Sequence, residues 1–401
     1  MKSNIIAGLD IGSSSIKMMV ARKREEGAEL EILGFVEELS AGMRKGAVVK
    51  PDETAKKILS AKSRAENVSS QKIDEVVVNI GGSHVFVTPS RGVVAVSRAD
   101  GNISKEDVER VLEAAQAFSL PSNKEVLEIF PKEFVVDGEG GVKDPAGMRG
   151  VRLEADVLAV CAFSPYVKNL TDVVLSSGLE IADIVPAPLA TAEAVLTPQQ
   201  KELGVAVINI GAGTTSLAVF EEGDLIHTAI FPVGSEHITN DIAIGLRCEP
   251  EVAERIKKEF GTCVAQKGRK TEKLELEDGT SLTFSQRLLA HIIESRVKEI
   301  FQLVVKELRE ISKQGDLPAG IILAGGGVKL PKIVEIAKKE LKLPVKIGTA
   351  QGIFSPQEDP SLLEVMGLVL RAARLEEGSA GPRMASGFLK KIKQIFQVFV
   401  P

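Results

Sequence analysis

The chain has 401 residues, of which 44% are hydrophobic and 26% charged, and its formal net charge is −5. That length suffices for two or more domains, and the hydrophobic share excludes a disordered chain. The acidic balance, with no basic patch in the body of the sequence, excludes nucleic acid from the expected partners.

Taken from the start, Met1-Lys2-Ser3-Asn4 leads straight into an apolar strand, Ile5 to Asp10. A basic n-region and a signal-type apolar core have no room there, so a cytoplasmic location is expected. The strand ends at Asp10 and is followed by Ile11, Gly12, Ser13, Ser14 and Ser15, then by a second strand from Ile16 to Ala21 that carries Lys17. Glycine lets such a turn leave its N–H groups unpaired, and the hydroxyls add donors, which together cradle an anion. Alone, the segment reads sooner as an ordinary hairpin.

A third strand at Glu31 to Val36, a helix near Asp52 to Arg64 and a strand at Glu75 to Ile80 follow. From His84 to Val160 the pattern changes. Val85 to Val96 reads as a hairpin, Ser104 to Phe118 as a helix capped by Ser104 with Asp107, and Val126 to Val136 and Val151 to Val160 as strands. This block interrupts the first half as an insertion. Pro165 to Gly178, Leu179 to Val185 and Ala187 to Leu196 then read as helix, strand and helix, closing that half.

The second half opens by repeating the grammar of the first turn. The apolar strand Val205 to Ile208 reaches Asn209, then Ile210, Gly211, Ala212, Gly213, Thr214 and Thr215, and a second strand from Leu217 to Phe220. Two turns built alike make chance the poorer account, and both read as phosphate clamps. Helices at Glu236 to Gly245, Glu251 to Phe260 and Phe284 to Lys313 frame a hairpin at Glu275 to Thr283. An apolar run then meets Gly325, Gly326 and Gly327, where backbone would approach a flat ligand and the helix from Pro331 to Leu341 would turn its N-terminus to phosphate.

The chain closes with a Gly-Ser-Pro linker and a basic amphipathic segment. On a helix, Phe388, Ile392, Ile395, Phe396 and Phe399 share one stripe, with Leu389 beside it and Lys390, Lys391 and Lys393 off it or at its borders. The segment is too short and basic to span a bilayer but suits a helix lying in an anionic membrane surface. Packing on its own domain is the alternative.

At the first clamp, Asp10 is placed to hold Mg²⁺ through water, as that hard ion retains several waters; a turn-capping role is its alternative. Asn209 holds the corresponding position in the second clamp. It orients water through its carbonyl but neither takes a proton nor supplies charge. Gly12, Ser13, Ser14 and Lys17 would surround the terminal phosphates from one side, and Gly211, Ala212, Gly213, Thr214 and Thr215 from the other. Lys17 also reads as a solvated strand residue. The three cysteines lack the number and spacing of a disulfide framework, and the four histidines lack zinc-ligand spacing.

With two phosphate hairpins and a late Ala-Gly-Gly-Gly loop, the chain resembles the actin, Hsp70 and hexokinase superfamily. Within it, the stretches Leu127 to Gly138 and Val142 to Gly150, together with Gly204 to Phe220, His227 to Ala243 and Leu288 to Ile300, resemble the FtsA family of bacterial cell-division proteins. The likeness runs from about Ile5 to about Leu370. It implies an α/β actin-like fold of two duplicated βββαβα halves around a nucleotide cleft, with an inserted FtsA-type subdomain and a C-terminal amphipathic helix. The division expected is residues 1–83 and 163–203 for the first-half core, 84–162 for the insertion, 204–244 and 317–375 for the second-half core and 245–316 for its subdomain. Residues 376–386 form the linker and 387–401 the membrane helix.

The resemblance further implies ATP and Mg²⁺ as cofactors and ribose contacts from Glu254 and Lys257, which as i and i+3 residues also read as a plain intrahelical pair. Gly325, Gly326 and Gly327 would border adenine. Implied partners are the C-terminal tail of FtsZ, received around Phe284 to Ile300 with Arg287 and Arg296 as candidates, further copies of the chain in a filament, the anionic inner membrane surface at the division site, and other division proteins. Many relatives carry Asp where this chain has Asn209, and a further Asp where it has Ser216, so binding without efficient hydrolysis is expected and no catalytic residue is assigned. A PilM-like adaptor of pilus assembly and a small-molecule kinase of the superfamily stand as alternatives. The tail speaks against both, and the kinase would need a cleft carboxylate that sequence does not reveal.

Overall fold

The computed structural model describes residues 5–24, 30–116, 123–265, 270–276, 279–313, 315–354 and 358–376. The expected amphipathic helix at 387–401, the linker before it apart from Glu376, and with them Phe388, Leu389, Lys390, Lys391, Ile392, Ile395, Phe396 and Phe399, lie outside the described residues.

Apolar runs too continuous for a one-faced sheet form the centres of two sheets. In the first, the strands stand in the order Glu180–Pro186, Glu75–Ile80, Ile5–Ile11, Ser15–Lys23, Leu30–Leu39 and Ile353–Phe354. In the second the order is Asp224–Phe231, Thr215–Glu221, Val205–Ile210, Ile321–Ala324 and Val345–Ile347. Val205–Ile210 is buried throughout, as expected of a strand covered on both faces.

The two sheets repeat one plan. Ile5–Ile11 pairs antiparallel with the strand after its turn and parallel with Glu75–Ile80. Val205–Ile210 does the same with Thr215–Glu221 and Ile321–Ala324. Asp10 faces Lys17 across the first hairpin, and Asn209 faces Ser216 across the second. The repeated plan therefore puts Asp10 and Asn209 at equivalent places.

Two helices join the halves. Ala187–Val195, buried at every position but Glu193, packs on the strands of the second-half hairpin, whereas Leu363–Glu376 packs on the first-half strands Ile5–Ile11 and Ser15–Lys23. The helices cross so closely that a Cβ at Gly367 would lie 1.7 Å from the carbonyl oxygen of Ala190. Leu363–Glu376 was not anticipated from the sequence, and its first turn carries Glu364.

The insertion is a four-stranded sheet in the order Val85–Ala95, Arg152–Phe163, Lys124–Val136 and Glu139–Val142, with the helix Lys105–Gln116 on it. The expected hairpin at Val85 to Val96 is instead one strand that pairs with Arg152–Phe163 from Val85 to Ala95. Its turn-like residues have other causes. Pro89 sits on an edge strand, where a missing donor is tolerated, and Gly92 clears the helix, since a Cβ there would meet the Val111 carbonyl oxygen at 2.1 Å. The expected cap is present: the Ser104 N–H donates to Asp107 Oδ2 at 2.9 Å, and the Asp107 N–H donates back to Ser104 Oγ at 3.2 Å.

Arg371 ties the joining helix to the insertion. Its guanidinium donates to Glu128 on the insertion and to Asp183 on the first-half sheet, each at 3.0 Å. Burial pushes the Glu128 carboxyl up, and Arg371 opposes that shift. Removing one partner of a half-buried ion pair leaves the other less well paired, so Arg371→Met is expected to lower stability by about 1–2 kcal/mol in urea unfolding. Wild-type stability in that variant would mean that both acids are hydrated in its absence.

In the second half, the helices Ser235–Leu246, Pro250–Phe260 and Gln286–Glu310 stand with the hairpin Thr271–Glu275 and Ser281–Ser285. The long helix is opened by Ser285, whose hydroxyl accepts from the Leu288 N–H. It buries Leu289, Ile293, Val297, Ile300, Val304 and Leu308 along one stripe.

Candidate functional site: a two-clamp cleft

The two hairpins face each other across a cavity of about 590 Å³. Each turn is closed in the same way. Gly12 N–H donates to the Ser15 carbonyl at 3.0 Å, and Gly211 N–H donates to the Thr214 carbonyl at 2.9 Å. Between those bonds Ser13 and Ser14 line one side of the cavity, and Ala212 and Gly213 line the other. A Cβ at Gly213 would lie 2.6 Å from Ser13 Oγ, so the absent side chain is what lets the clamps meet. Ser13 Oγ also accepts from Gly46 N–H at 3.0 Å, which brings a third loop to the same place.

One expected contact is corrected. Thr215 is fully buried and turned from the cavity, with its hydroxyl donating to the Val233 carbonyl at 2.8 Å. Side chains alternate along a strand, so once Thr214 closes the turn it is Ser216 that faces the cavity.

The Asp10 side chain bonds Lys17 and Asn79 in place of a turn-capping role, and Lys17 is not a solvated strand residue. Both are buried in the cavity wall, and Lys17 Nζ donates to Asp10 Oδ2 at 3.1 Å. Burial works against the Lys17 charge, but Asp10, with Glu37 and Glu364, holds the ammonium above its usual range.

At the cavity floor, Asn79 and Glu364 are the residues that sequence reasoning missed. Asn79 accepts from Ile11 N–H at 2.8 Å and donates to Asp10 Oδ1 at 2.8 Å and to Glu364 Oε1 at 2.6 Å. Asn209 donates to Thr191 Oγ1 at 3.0 Å and to Glu364 Oε2 at 2.7 Å. Burial and the neighbouring Asp10 raise the Glu364 carboxyl well above the usual range, against the hydrogen bonds from the two amides. The cleft carboxylate not found in the sequence is therefore here, on the joining helix.

The opposite wall carries Glu254 and Lys257, 2.6 Å apart. They form the intrahelical pair and line the cavity as well. Thr239 fastens both: its hydroxyl donates to Glu254 Oε2 at 2.5 Å and accepts from Lys257 Nζ at 2.7 Å. Burial lowers the Lys257 ammonium despite its carboxylate partner.

The glycine cluster meets the cavity with a different logic at each position. Gly325, at φ 90°, and Gly327 abut the second hairpin, since their Cβ atoms would lie 2.2 Å from Asn209 Oδ1 and 2.5 Å from Ile210 Cγ2. Gly326 is the open one, with Ser361 Cβ 3.9 Å away as the nearest neighbour of a Cβ there. The helix expected from Pro331 begins only at Ile333, after a 3₁₀ turn at Gly326–Lys329. It is this short turn that borders the cavity.

Arg287 and Arg296 lie apart, on the long helix. Arg287 is exposed. Arg296 is held by Asp241 through two bonds of 2.6 and 2.9 Å, with a third to Glu299 at 2.7 Å, so an acidic peptide would have to compete with Asp241 for it.

The comparisons agree with this architecture. A family model described as cell division protein FtsA matches residues 206–387, and one described as the SHS2 domain inserted in FTSA matches residues 82–161. The cell division protein FtsA of Bacillus subtilis (strain 168) is 36% identical over 396 residues, covering 97% of this chain and 89% of its own. The chain belongs to the FtsA family. FtsA of Pseudomonas aeruginosa is likewise 36% identical, over 95% of this chain and 92% of its own.

Among solved structures, the PilM-PilN type IV pilus biogenesis complex matches with a TM-score of 0.65 at 17% identity, covering 93% of this chain and 99% of the other. MreB5 of Spiroplasma citri bound to ADP matches with a TM-score of 0.57 at 15% identity, covering 94% and 99%. These likenesses establish an actin-like fold, and residues 82–161 are the inserted SHS2 domain. The pilus protein shares that fold, and the far higher identity to division proteins sets this chain apart from it. No helix among the described residues is long and apolar enough to cross a membrane.

Proposed function

We propose that this actin-like division protein binds ATP with Mg²⁺ between its two hairpins and polymerises on the inner face of the cell membrane, where it tethers FtsZ. The observation that carries the nucleotide reading is the pair of like-closed turns facing each other across one cavity, with Glu254 and Lys257 on its wall. Paired turns of this kind grip phosphates from both sides, while the open face at Gly326 suits the flat adenine and the Glu254–Lys257 pair the ribose. MreB5, of the same fold, is bound to ADP, which supports an adenine nucleotide here.

The donor set fits a hard cation. Asp10 and Glu364 offer carboxylate oxygens at the floor, as Mg²⁺ held partly through water requires. The ion would supply positive charge to the phosphates. Asn209 cannot take a proton where an acid could, and Asp10 is held by Lys17, so nucleotide serves as a structural ligand with slow turnover. Robust hydrolysis under saturating ATP would contradict this.

The membrane reading rests on the sequence of residues 387–401. Each of its lysines near an anionic leaflet contributes about 1 kcal/mol, and the aromatic and aliphatic stripe adds insertion. Polymerisation multiplies such weak anchors through effective concentration. Arg287, exposed beside the exposed Leu288, is the better-placed residue for the acidic FtsZ tail.

Co-sedimentation with anionic liposomes, with and without ATP, tests the assembly. The whole chain is expected to pellet, more strongly with ATP, and a chain ending at Gly381 to stay in the supernatant. Equal behaviour of the two would refute the anchor.

A further inference from the structure

The repeated plan of the halves raises a question of charge. Asp10 and Asn209 hold equivalent places at the ends of the two central strands, yet only Asp10 is an acid, and its charge is already answered by Lys17 at 3.1 Å. A magnesium ion bound with a nucleotide takes phosphate oxygens, waters and one or two carboxylates, and the second hairpin offers no carboxylate at Asn209. Glu364 stands beside that gap. It reaches Asn209 with one oxygen at 2.7 Å and Asn79 with the other at 2.6 Å.

We propose that Glu364 takes over the acid's part that Asn209 cannot play, so that the Mg²⁺ dependence of nucleotide binding rests on the joining helix rather than on the second hairpin. This inference deepens the nucleotide reading above and rests on it.

Three further observations point the same way. Both donors to Glu364 are neutral amides, so no protein cation is bonded to it directly. Each carboxylate oxygen accepts one hydrogen and keeps acceptor capacity for a metal-bound water, and the residue lines the cavity. Glu364 also lies in the first turn of its helix, where the macrodipole favours an anion. Asn209, for its part, spends its amide hydrogens on Glu364 and Thr191, which fixes the carboxylate from the second half while Asn79 fixes it from the first.

The test is binding of a fluorescent ATP analogue to the full chain, measured in Mg²⁺ and in EDTA. The readout is the ratio of the two affinities. Glu364→Gln, which keeps shape and removes charge, is expected to shrink that ratio by about 10-fold, the usual scale for losing a group that orders a metal's ligands. Asn209→Asp in the Glu364→Gln background is expected to restore it, because the acid then returns to the hairpin. Two results would overturn the proposal: an unchanged ratio in Glu364→Gln, or a loss of affinity equal in Mg²⁺ and EDTA, which is the signature of a brace between the halves. A wild-type chain that binds no analogue under either condition would instead overturn the nucleotide reading beneath it.

Discussion

Gly367→Val is expected to be the most damaging single substitution in the molecule. A Cβ at this position would lie 1.7 Å from the Ala190 carbonyl oxygen and 2.6 Å from the Ala190 carbonyl carbon. Both are backbone atoms of a helix buried at nearly every position, so no side chain can swing aside. The helices would have to part, and since one packs on each sheet, the halves would part with them. Overpacking against backbone in a buried crossing is expected to cost on the order of 4 kcal/mol. Chemical unfolding read by circular dichroism checks the figure. A loss below about 1 kcal/mol, typical of surface sites, would mean that the crossing adapts without strain.

The second large effect is on the ligand, not the fold. Gly213→Val would drive methyl groups into Ser13, whose Oγ and Cβ lie 2.6 and 2.9 Å from the position of the new Cβ, with the Lys45 Cα 3.3 Å away. These atoms belong to the tip of the opposing clamp and the loop beside it, so the clamps are pushed apart where the phosphates would sit. Loss of the charge-assisted hydrogen bonds from one clamp, at about 1.5–3 kcal/mol each, predicts at least a roughly 100-fold weaker affinity for ATP. Calorimetric titration measures this, with unfolding of the unliganded variant as the control. Retained affinity would place the phosphates elsewhere.

Much of this was legible in the chain because hairpins advertise themselves. A strand ending in Asp10 or Asn209, then glycine, then hydroxyls, is a local pattern with a local cause, and both turns close as that pattern implies. Alternation within the turn was harder to read. Thr214 and Thr215 look alike in sequence, yet the first strand residue after the turn points inward, and Thr215 bonds Val233 rather than a ligand. The glycines at 325 and 327 line the cavity with Gly326 as expected, and have a second reason to be glycine that was not legible, since they clear the second hairpin. Pro89 and Gly92 misled because their context, an edge strand under a helix, exists only in three dimensions.

Glu364 escaped notice for the same cause. Its partners Asn79 and Asn209 lie 285 and 155 residues away, and a single acid in a helix is ordinary. The one available signal was its setting, a lone charge within the apolar run Leu362 to Leu370, where ionised groups are seldom tolerated without partners.

The claim on which the account turns is that the cleft is an adenine-nucleotide site. Its most direct test is calorimetric titration of the nucleotide-free full chain with ATP and Mg²⁺, alongside the Gly213→Val variant. Stoichiometric binding by the native chain, lost in the variant, is the predicted result. No heat and no bound nucleotide at millimolar ATP in the native chain would contradict it.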